Sequence, residues 1–322
     1  MTPPAISVVC PVFDTPSWML RAAVRSVLDQ EGGEAVEVIL ADDGSREQGT
    51  LAALADLAVD PRVVIARSAR NLGPAGSRNA GIRLARGARV GFLDSDDLWP
   101  PGSLAARLAA PAGPGDAVLG AFREFGEDGE TEAVAAAGPP DDWTVNAAPD
   151  STRHLIHRWH HLGGLLVPRA ALDRGGLFDE DLRYAEDFLF FLRVSLACRM
   201  VVTERPLYLL RRQHVSMMFR RARYAYDFAR PYERAYADPA FRDVRRDLRW
   251  QMITVYKGMA ANSLVNGDAA NALRCAARAY RLDPREVGPL AMFLRATGAR
   301  DPERRLALAR RYTTAIVTPG MA

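Results

Sequence analysis

Four residues, Asp94-Ser95-Asp96-Asp97, set three carboxylates side by side directly behind the apolar run Val90-Gly91-Phe92-Leu93. Carboxylates this close repel one another and are costly to keep charged beside a sheet interior. A hard divalent cation shared with phosphate oxygens relieves that cost, because Mg2+ and Mn2+ bind through few carboxylates plus substrate phosphate. The competing reading is an acidic turn that caps a helix. Asp42-Asp43-Gly44-Ser45 follows a second apolar run. A carboxylate there can accept from a base N–H or a ribose hydroxyl, although an ordinary turn has the same composition. Asn71-Leu72-Gly73-Pro74-Ala75-Gly76-Ser77-Arg78-Asn79 supplies glycines for close backbone approach and an arginine suited to oxygen-rich ligands. It fits neither the dinucleotide glycine pattern nor a phosphate loop with its lysine, which argues against nicotinamide redox chemistry and ATP hydrolysis. Glu186-Asp187 opens an apolar helical stretch. Two acids at a helix start complement its dipole, and a carboxylate so placed can also take the proton of an acceptor hydroxyl. His214 reads equally as a metal or diphosphate ligand and as a structural histidine. His154, His157, His160 and His161 recur at spacings that make no convincing zinc site.

The elements that must position these groups alternate. Apolar runs at 6–10, 37–41, 62–66 and 90–93 read as buried strands, and helical spacing fills 17–30, 47–57 and 76–86, with Ser17 as an N-cap. Pro11 should end the first strand. Strand and helix in alternation predict a parallel sheet covered by helices, with ligands at the carboxyl ends of the strands. Asp14, Asp42-Asp43 and Asp94 to Asp97 all fall at such ends. Between 110 and 150 the pattern weakens, with strands expected at 118–122 and near Ala133. A strand at 163–167, a helix at 185–198 and a strand at 207–210 come next. Beyond Arg220 the sequence is all-helical, and 260–284 looks like one tetratricopeptide-type hairpin. The stretch 304–311 is a basic amphipathic helix, read as a solvated face that could lie on a membrane surface.

The chain has 322 residues, 48% of them hydrophobic, and a net charge of +3. That suits one large domain and a smaller one. Lys257 is the only lysine, and arginines cluster late, at Arg211-Arg212, Arg220-Arg221 and Arg304-Arg305. This bias is compatible with acidic partners such as diphosphates or anionic lipid. Cys10, Cys198 and Cys275 lack metal-ligand spacing and read as buried thiols in a reducing compartment. Strand-like sequence starts by Ile6 with no basic leader, and no apolar run reaches membrane-spanning length. The expected place is the cytoplasm, with a peripheral contact at the inner membrane face compatible with the charge.

In register, these segments resemble family 2 glycosyltransferases of the GT-A fold, over about residues 5 to 220. Val8-Val9-Cys10-Pro11-Val12-Phe13-Asp14 is similar to that family's first strand and nucleotide loop, and Ser26-Val27-Leu28-Asp29-Gln30 to the end of its first helix. Asp42 to Ser45, Asn71 to Asn79 and Phe92 to Asp97 come in the family's order. Gly175-Gly176-Leu177-Phe178-Asp179-Glu180 and Ala185-Glu186-Asp187 are similar to its acceptor-side segment. The resemblance implies an α/β fold with a mixed, mostly parallel sheet flanked by helices over 1–223, and a helical appendage over 224–322. It implies that Phe13 stacks on the base and that Pro11, Val12, Asp14, Asp43, Asn71, Gly73, Arg78, Asp94 and Ser95 line the nucleotide site. Asp96 and His214 would hold Mn2+ or Mg2+. Gly163, Gly164 and Asp97 would lie on the sugar side, and Asp187 would be the general base with Glu186 beside it.

The activity so implied is inverting transfer from a nucleoside-diphosphate sugar, UDP-sugar favoured, to a glycan, lipid-linked or small-molecule hydroxyl, in surface-glycan or glycosylated-metabolite synthesis. No nucleic-acid partner is expected, and the helical tail is compatible with a homodimer. Two other readings remain: a nucleotidyl or phosphoryl transferase using the same acidic site, and a degenerate scaffold acting through its tail. Asp14 stands where the family often has asparagine, and the stretch 110–150 matches no family segment.

Overall fold

The computed structural model describes residues 4–30, 36–126, 142–212, 228–265 and 267–285. It divides into two compact units, one of residues 1–151 with 160–214 and the other of 152–159 with 215–322. The first unit is built on a single eight-stranded sheet. Its strands are β1 (Ile6–Val12), β2 (Val36–Asp42), β3 (Val63–Arg67), β4 (Arg89–Phe92), β5 (Ala117–Phe125), β6 (Thr144–Asn146), β7 (Leu165–Pro168) and β8 (Met200–Arg211). Across the sheet they lie in the order β3-β2-β1-β4-β7-β5-β8-β6. The first four pair in parallel, β7 runs antiparallel to β4 and β5, β8 is parallel to β5, and β6 is antiparallel to β8. The expected mixed, mostly parallel sheet is the one found.

Strands β1 and β2 are buried almost throughout, as continuous apolar runs in a covered parallel sheet must be. Helix α1 (Ser17–Leu28) buries Leu20, Ala23, Val24, Val27 and Leu28, one amphipathic stripe. Helices α2 (Gln48–Leu57) and α3 (Gly73–Leu84) complete the first crossovers. Pairing of Val12 with Asp42 and of Val9 with Phe92 makes β1, β2 and β4 end at one edge. That register brings the acidic loops together.

Three local expectations change. Strand β1 runs through Pro11 to Val12, because the missing proline donor falls where the ladder is about to end. Helix α1 is capped at Pro16, with Ser17 its first residue. Helix α3 starts at Gly73, whose φ of +76° suits glycine, and Pro74 occupies the first turn, where no donor is needed. The strand expected near Ala133 lies outside the described residues.

The loop after β4 is stapled to α1. Ser26 Oγ accepts from Trp99 N at 3.0 Å. Gln30 Nε2 donates to Pro100 O at 2.8 Å, and its Oε1 accepts from Leu104 N at 3.0 Å, at the start of α4 (Ser103–Ala109). Trp99 is buried and donates Nε1–H to Phe92 O at 3.2 Å. Helices α5 (Asp150–His157), α6 (Arg169–Gly175) and α7 (Glu186–Ala197) complete this part of the chain.

In the second unit, α8 (Arg230–Ala237), α9 (Arg245–Val265) and α10 (Ala269–Leu282) surround a core that includes Met252, Tyr256, Cys275, Ala276 and Ala279. Asp268 caps α10 by accepting from Asn271 N at 3.0 Å. No described helix is long and apolar enough to cross a membrane. The three cysteines are free, Cys10 and Cys275 buried and Cys198 half-buried. His214, Arg220-Arg221 and the basic stretch at 304–311 lie outside the described residues.

Candidate active site

The edge shared by β1, β2 and β4 carries two linked groups of side chains. The first surrounds Asp14. Its φ of +45° is uncommon for a non-glycine residue and is held by local bonds. Its N–H donates to Ser45 Oγ at 3.0 Å, and its Oδ1 accepts from Arg46 N at 2.6 Å and Glu47 N at 2.9 Å. The Glu47 and Arg46 amides hold its carboxyl below the usual range. Asp43 accepts from Leu72 N at 2.7 Å and Gly73 N at 2.9 Å, which ties the start of α3 to the end of β2. Burial nevertheless raises its pKa. Phe13, next in the chain to Asp14, has about half of its surface exposed. The hydroxyls of Thr15 and Ser95 share a hydrogen bond at 2.6 Å, which joins this group to the acid loop.

The second group is centred on Arg78, a buried residue of α3. Its Nη2 donates to Asp94 Oδ1 at 2.8 Å and its Nη1 to Glu186 Oε1 at 2.7 Å. One guanidinium therefore spans the end of β4 and the start of α7. Burial opposes its charge, but Asp94 and Glu186 raise its pKa above the usual arginine value. Burial likewise opposes the Asp94 charge, while Arg78 and His161 hold that carboxyl below its usual range. Asn79 fixes the approach to α7, donating to Phe178 O at 2.9 Å and accepting from Phe178 N at 2.9 Å. Phe178 stacks on Phe190 at 3.9 Å, which seats α7.

Helix α7 opens on a left-handed alanine, Ala185 at φ +50°, followed by Glu186 and Asp187. Asp187 Oδ1 accepts from Phe188 N at 2.8 Å. Burial, reinforced by the Glu186 charge and only partly offset by Arg78, pushes the Asp187 carboxyl up to about 7. A carboxylate so tuned is a competent proton acceptor near neutrality.

Within the acid loop the three aspartates differ. Asp97 is buried and closed off: Oδ2 accepts from Tyr208 Oη at 2.8 Å and Oδ1 from Arg211 N at 2.7 Å. Burial, then the charges of Asp96 and Asp94, raise its pKa far above the carboxylate range. Asp96 is half-buried, and its carbonyl accepts from Arg211 Nε at 2.7 Å. Arg211 in turn lies over the rings of Phe125 and Trp18. Asp94 N–H donates to Tyr208 Oη at 3.1 Å.

Ligand atoms of Asp94, Asp97 and His161 lie within 4.8 Å of one another, the only group of three such residues close enough to hold a cation among the described residues. Asp96, the metal ligand expected from the sequence, is not one of the three; carboxylate oxygens such as those of Asp94 suit Mg2+ or Mn2+, and a cation there would offset the Asp96 and Asp94 charges that help raise the pKa of Asp97. His161 enters this site and His157 does not; His157 pairs with Asp247 in the second unit at 2.8 Å. Gly163 and Gly164 are buried, and an added Cβ would meet the Tyr208 ring at 1.8 Å and Gly120 O at 2.3 Å. Both glycines therefore have packing reasons for their small size. Pro11 and Val12 end β1 beside Phe13. Asn71 closes its own turn, its Oδ1 accepting from Gly73 N at 3.2 Å.

Several site residues escape the sequence. Tyr208 reads as core in an apolar strand, and Arg211 as a basic strand end. Arg107 carries no signal in the sequence. It is buried without a carboxylate, donating Nη2 to Gly163 O at 2.7 Å and Leu207 O at 2.9 Å. Burial drops its pKa to about 9. His161 belongs to the histidine run that makes no convincing zinc site in the sequence, and the structure places it beside Asp94 and Asp97.

The sequence profile described as "Glycosyl transferase family 2" matches residues 7–162. The succinoglycan biosynthesis protein ExoO of Rhizobium meliloti (strain 1021) is 35% identical over 214 residues, 62% of this chain and 59% of that protein. The chain thus spans less than two thirds of that relative's length. Among solved structures, S. aureus TarS 1-349 in complex with UDP-GlcNAc superposes with a TM-score of 0.60 at 17% identity, covering 96% of this chain and 92% of that one. The mannosyltransferase PcManGT from Pyrobaculum calidifontis, in complex with GDP-Man and Mn2+, does so with a TM-score of 0.59 at 19% identity, covering 98% and 87%. These structures share the GT-A fold.

Proposed function

We propose, from the premise that this chain belongs to glycosyl transferase family 2 through residues 7–162, that it transfers a sugar from a nucleoside-diphosphate donor to an acceptor hydroxyl. The observation that carries the reading is the bridge Asp94–Arg78–Glu186, which sets a strand-end carboxylate at a fixed span from Asp187. The bridge supports a reading in which the strand end that would hold the donor and the helix start that would carry the base are tied together.

The exposed ring of Phe13 offers a stacking face for the base, worth on the order of 1–3 kcal/mol. Pro11, Val12, Asp14, Asp43, Asn71, Gly73 and Ser95 shape the nucleoside pocket, and Asp94 takes the ribose. Asp96 is the proposed metal ligand, joined by His214. A bound Mn2+ or Mg2+ supplies charge to the departing diphosphate. Gly163 and Gly164 set the turn on the sugar side, while Asp97, closed off by Tyr208 and Arg211, holds the acid loop in place instead of meeting the sugar. Asp187, half-buried and tuned to about 7, takes the proton of the acceptor hydroxyl. As that proton leaves, the acceptor oxygen bonds the anomeric carbon and the bond from that carbon to the diphosphate breaks, which inverts the centre in one displacement. Glu186 is held by Arg78 and keeps the negative field that raises Asp187.

UDP-sugar is the favoured donor, since the TarS structure that this fold resembles holds UDP-GlcNAc. A glycan or lipid-linked acceptor in bacterial polysaccharide synthesis accords with the relative named for succinoglycan biosynthesis. The test is a panel of nucleotide sugars screened for hydrolysis and transfer with Mn2+ present, paired with calorimetric titration of UDP. Transfer or hydrolysis from one donor is expected. No binding of any nucleoside diphosphate with Mn2+ or Mg2+ overturns the reading.

A further inference from the structure

Resting on the transferase reading, we propose that His161 binds the nucleotide sugar, its Nε2–H donating a hydrogen bond to a donor oxygen beside Asp94, and that it is not a metal ligand.

The tautomer carries the inference. His161 Nδ1 accepts a hydrogen bond from Gly163 N at 3.3 Å. An accepting Nδ1 bears no proton, so the proton of the ring is on Nε2. Nε2 then has no lone pair for a cation, although its distance to the carboxylates would permit one. It faces Asp94 Oδ2 at 3.7 Å, too far for a direct hydrogen bond. The other oxygen of Asp94 is taken by Arg78. An oxygen within reach of both groups could accept from Nε2–H while bonding the free edge of Asp94 through its own hydroxyl, or through a shared cation.

The ring is held for this purpose from several segments of chain. It stacks on Tyr208 with centroids 4.6 Å apart and planes 15° from parallel. Tyr208 is fixed by Asp97 and by Asp94 N–H. The stack leaves no space for a side chain at Gly163. Arg107 pins the carbonyl of Gly163, and so the turn that sets the histidine. A donor held this firmly loses little freedom when a ligand arrives.

Two substitutions separate the roles of the two ring nitrogens. In His161→Asn the amide oxygen reaches the place of Nδ1 and keeps the Gly163 bond, but no donor reaches the place of Nε2. In His161→Gln an amide N–H reaches the place of Nε2. Both variants and the unaltered chain are titrated calorimetrically with UDP and with UDP-sugar in the presence of Mn2+. Mn2+ alone is titrated by electron paramagnetic resonance, and donor KM and kcat are measured separately.

The Asn variant should raise donor Kd and KM about tenfold, one hydrogen bond's worth, with a smaller change in kcat. The Gln variant should stay within about threefold of the unaltered chain, and Mn2+ affinity should be unchanged in both. Weakening of UDP places the accepting oxygen on the diphosphate or ribose. Weakening of UDP-sugar alone places it on the sugar. The proposal falls if Asn binds donor as well as histidine does, if Gln is as weak as Asn, or if both variants lose Mn2+. An unaltered chain that binds no nucleoside diphosphate removes the transferase reading and this proposal together. Normal binding by that chain alongside normal binding by Asn removes this proposal alone.

Discussion

Asp187 makes the sharpest claims at the scale of a residue. Its carboxyl is pushed up to about 7 by burial and by Glu186. With Asp187 in the proposed role of base, transfer would need its deprotonated form, so kcat should rise with pH through a limb near 7 and flatten above it. Asp187→Asn should lower kcat by about 10²- to 10⁴-fold and leave UDP affinity unchanged; titration of UDP beside turnover checks the split. The same shift acts on stability. Unfolded, the group titrates near 3.8, so between about pH 4 and 7 the unfolded chain sheds a proton that the folded chain keeps. Stability is lost as pH rises through that window. Asp187→Asn should therefore melt higher than the unaltered chain at pH 8, by on the order of a few °C, and about equally at pH 4. Arg78 gives the converse case. Arg78→Met leaves the buried Glu186 and the half-buried Asp94 without their cation, a loss on the order of 3 kcal/mol. Denaturant unfolding would record it. Asp94, Asp96, Asp187 and Arg78 stood out in the sequence as candidates because they sit in short local patterns, but that Arg78 joins Asp94 to Glu186 did not. The bond between Tyr208 and Asp97 did not either, because it joins residues 111 apart and one of them looks like ordinary strand core.

Elements explain why the local patterns could be read at all. Apolar runs that end in acids mark the carboxyl ends of parallel strands, and the register of β1 with β2 and β4 converts that one-dimensional cue into a shared edge. The antiparallel insertion of β7 between β4 and β5 leaves no such mark, since four buried residues read alike in either direction. The glycines divide by what surrounds them. Gly163→Ala drives a Cβ into the Tyr208 ring and should cost on the order of 1–3 kcal/mol or more, with loss of donor binding. Gly102→Ala meets open space at a φ of +78° and should cost about 1 kcal/mol, with binding intact. Paired thermal melts and UDP titrations distinguish the two. Ser26, in the last turn of α1, and Gln30, just past its end, grip the loop behind the acids. Their place in a family-like motif is thereby explained by loop positioning rather than contact with nucleotide.

At the scale of the whole molecule, the two units have separate cores. Asp268→Ala removes the cap of α10 and should cost about 1 kcal/mol. UDP affinity and kcat should stay unchanged, a pairing that unfolding curves and turnover can check. Chelation with EDTA should abolish transfer, and added Mn2+ or Mg2+ should restore it. The Gly267-Asp268 break and the alanine-rich helix after it place one tetratricopeptide-type hairpin at 260–284 in the sequence; the structure has helices Arg245–Val265 and Ala269–Leu282 there, the first beginning well before the expected bound. Nothing local foretold that residues 152–159 would be grouped with that unit, since the eight residues lie far from it along the chain.

Strand β8 is the seventh of eight strands across the sheet, yet its last residues close the acid loop. On a ribosome, residues 94–97 emerge more than a hundred residues before Tyr208 and Arg211. Throughout that interval Asp97 has neither of its hydrogen-bond donors, and a sheet closed around it would bury a bare carboxyl. The amino-terminal strands alone therefore cannot supply the hydrogen bonds that Asp97 makes in the finished sheet. Synthesis halted at residue 200 should yield an aggregation-prone fragment. The stretch most recognisable as a family member is, by this logic, the part least able to stand without the strand made last.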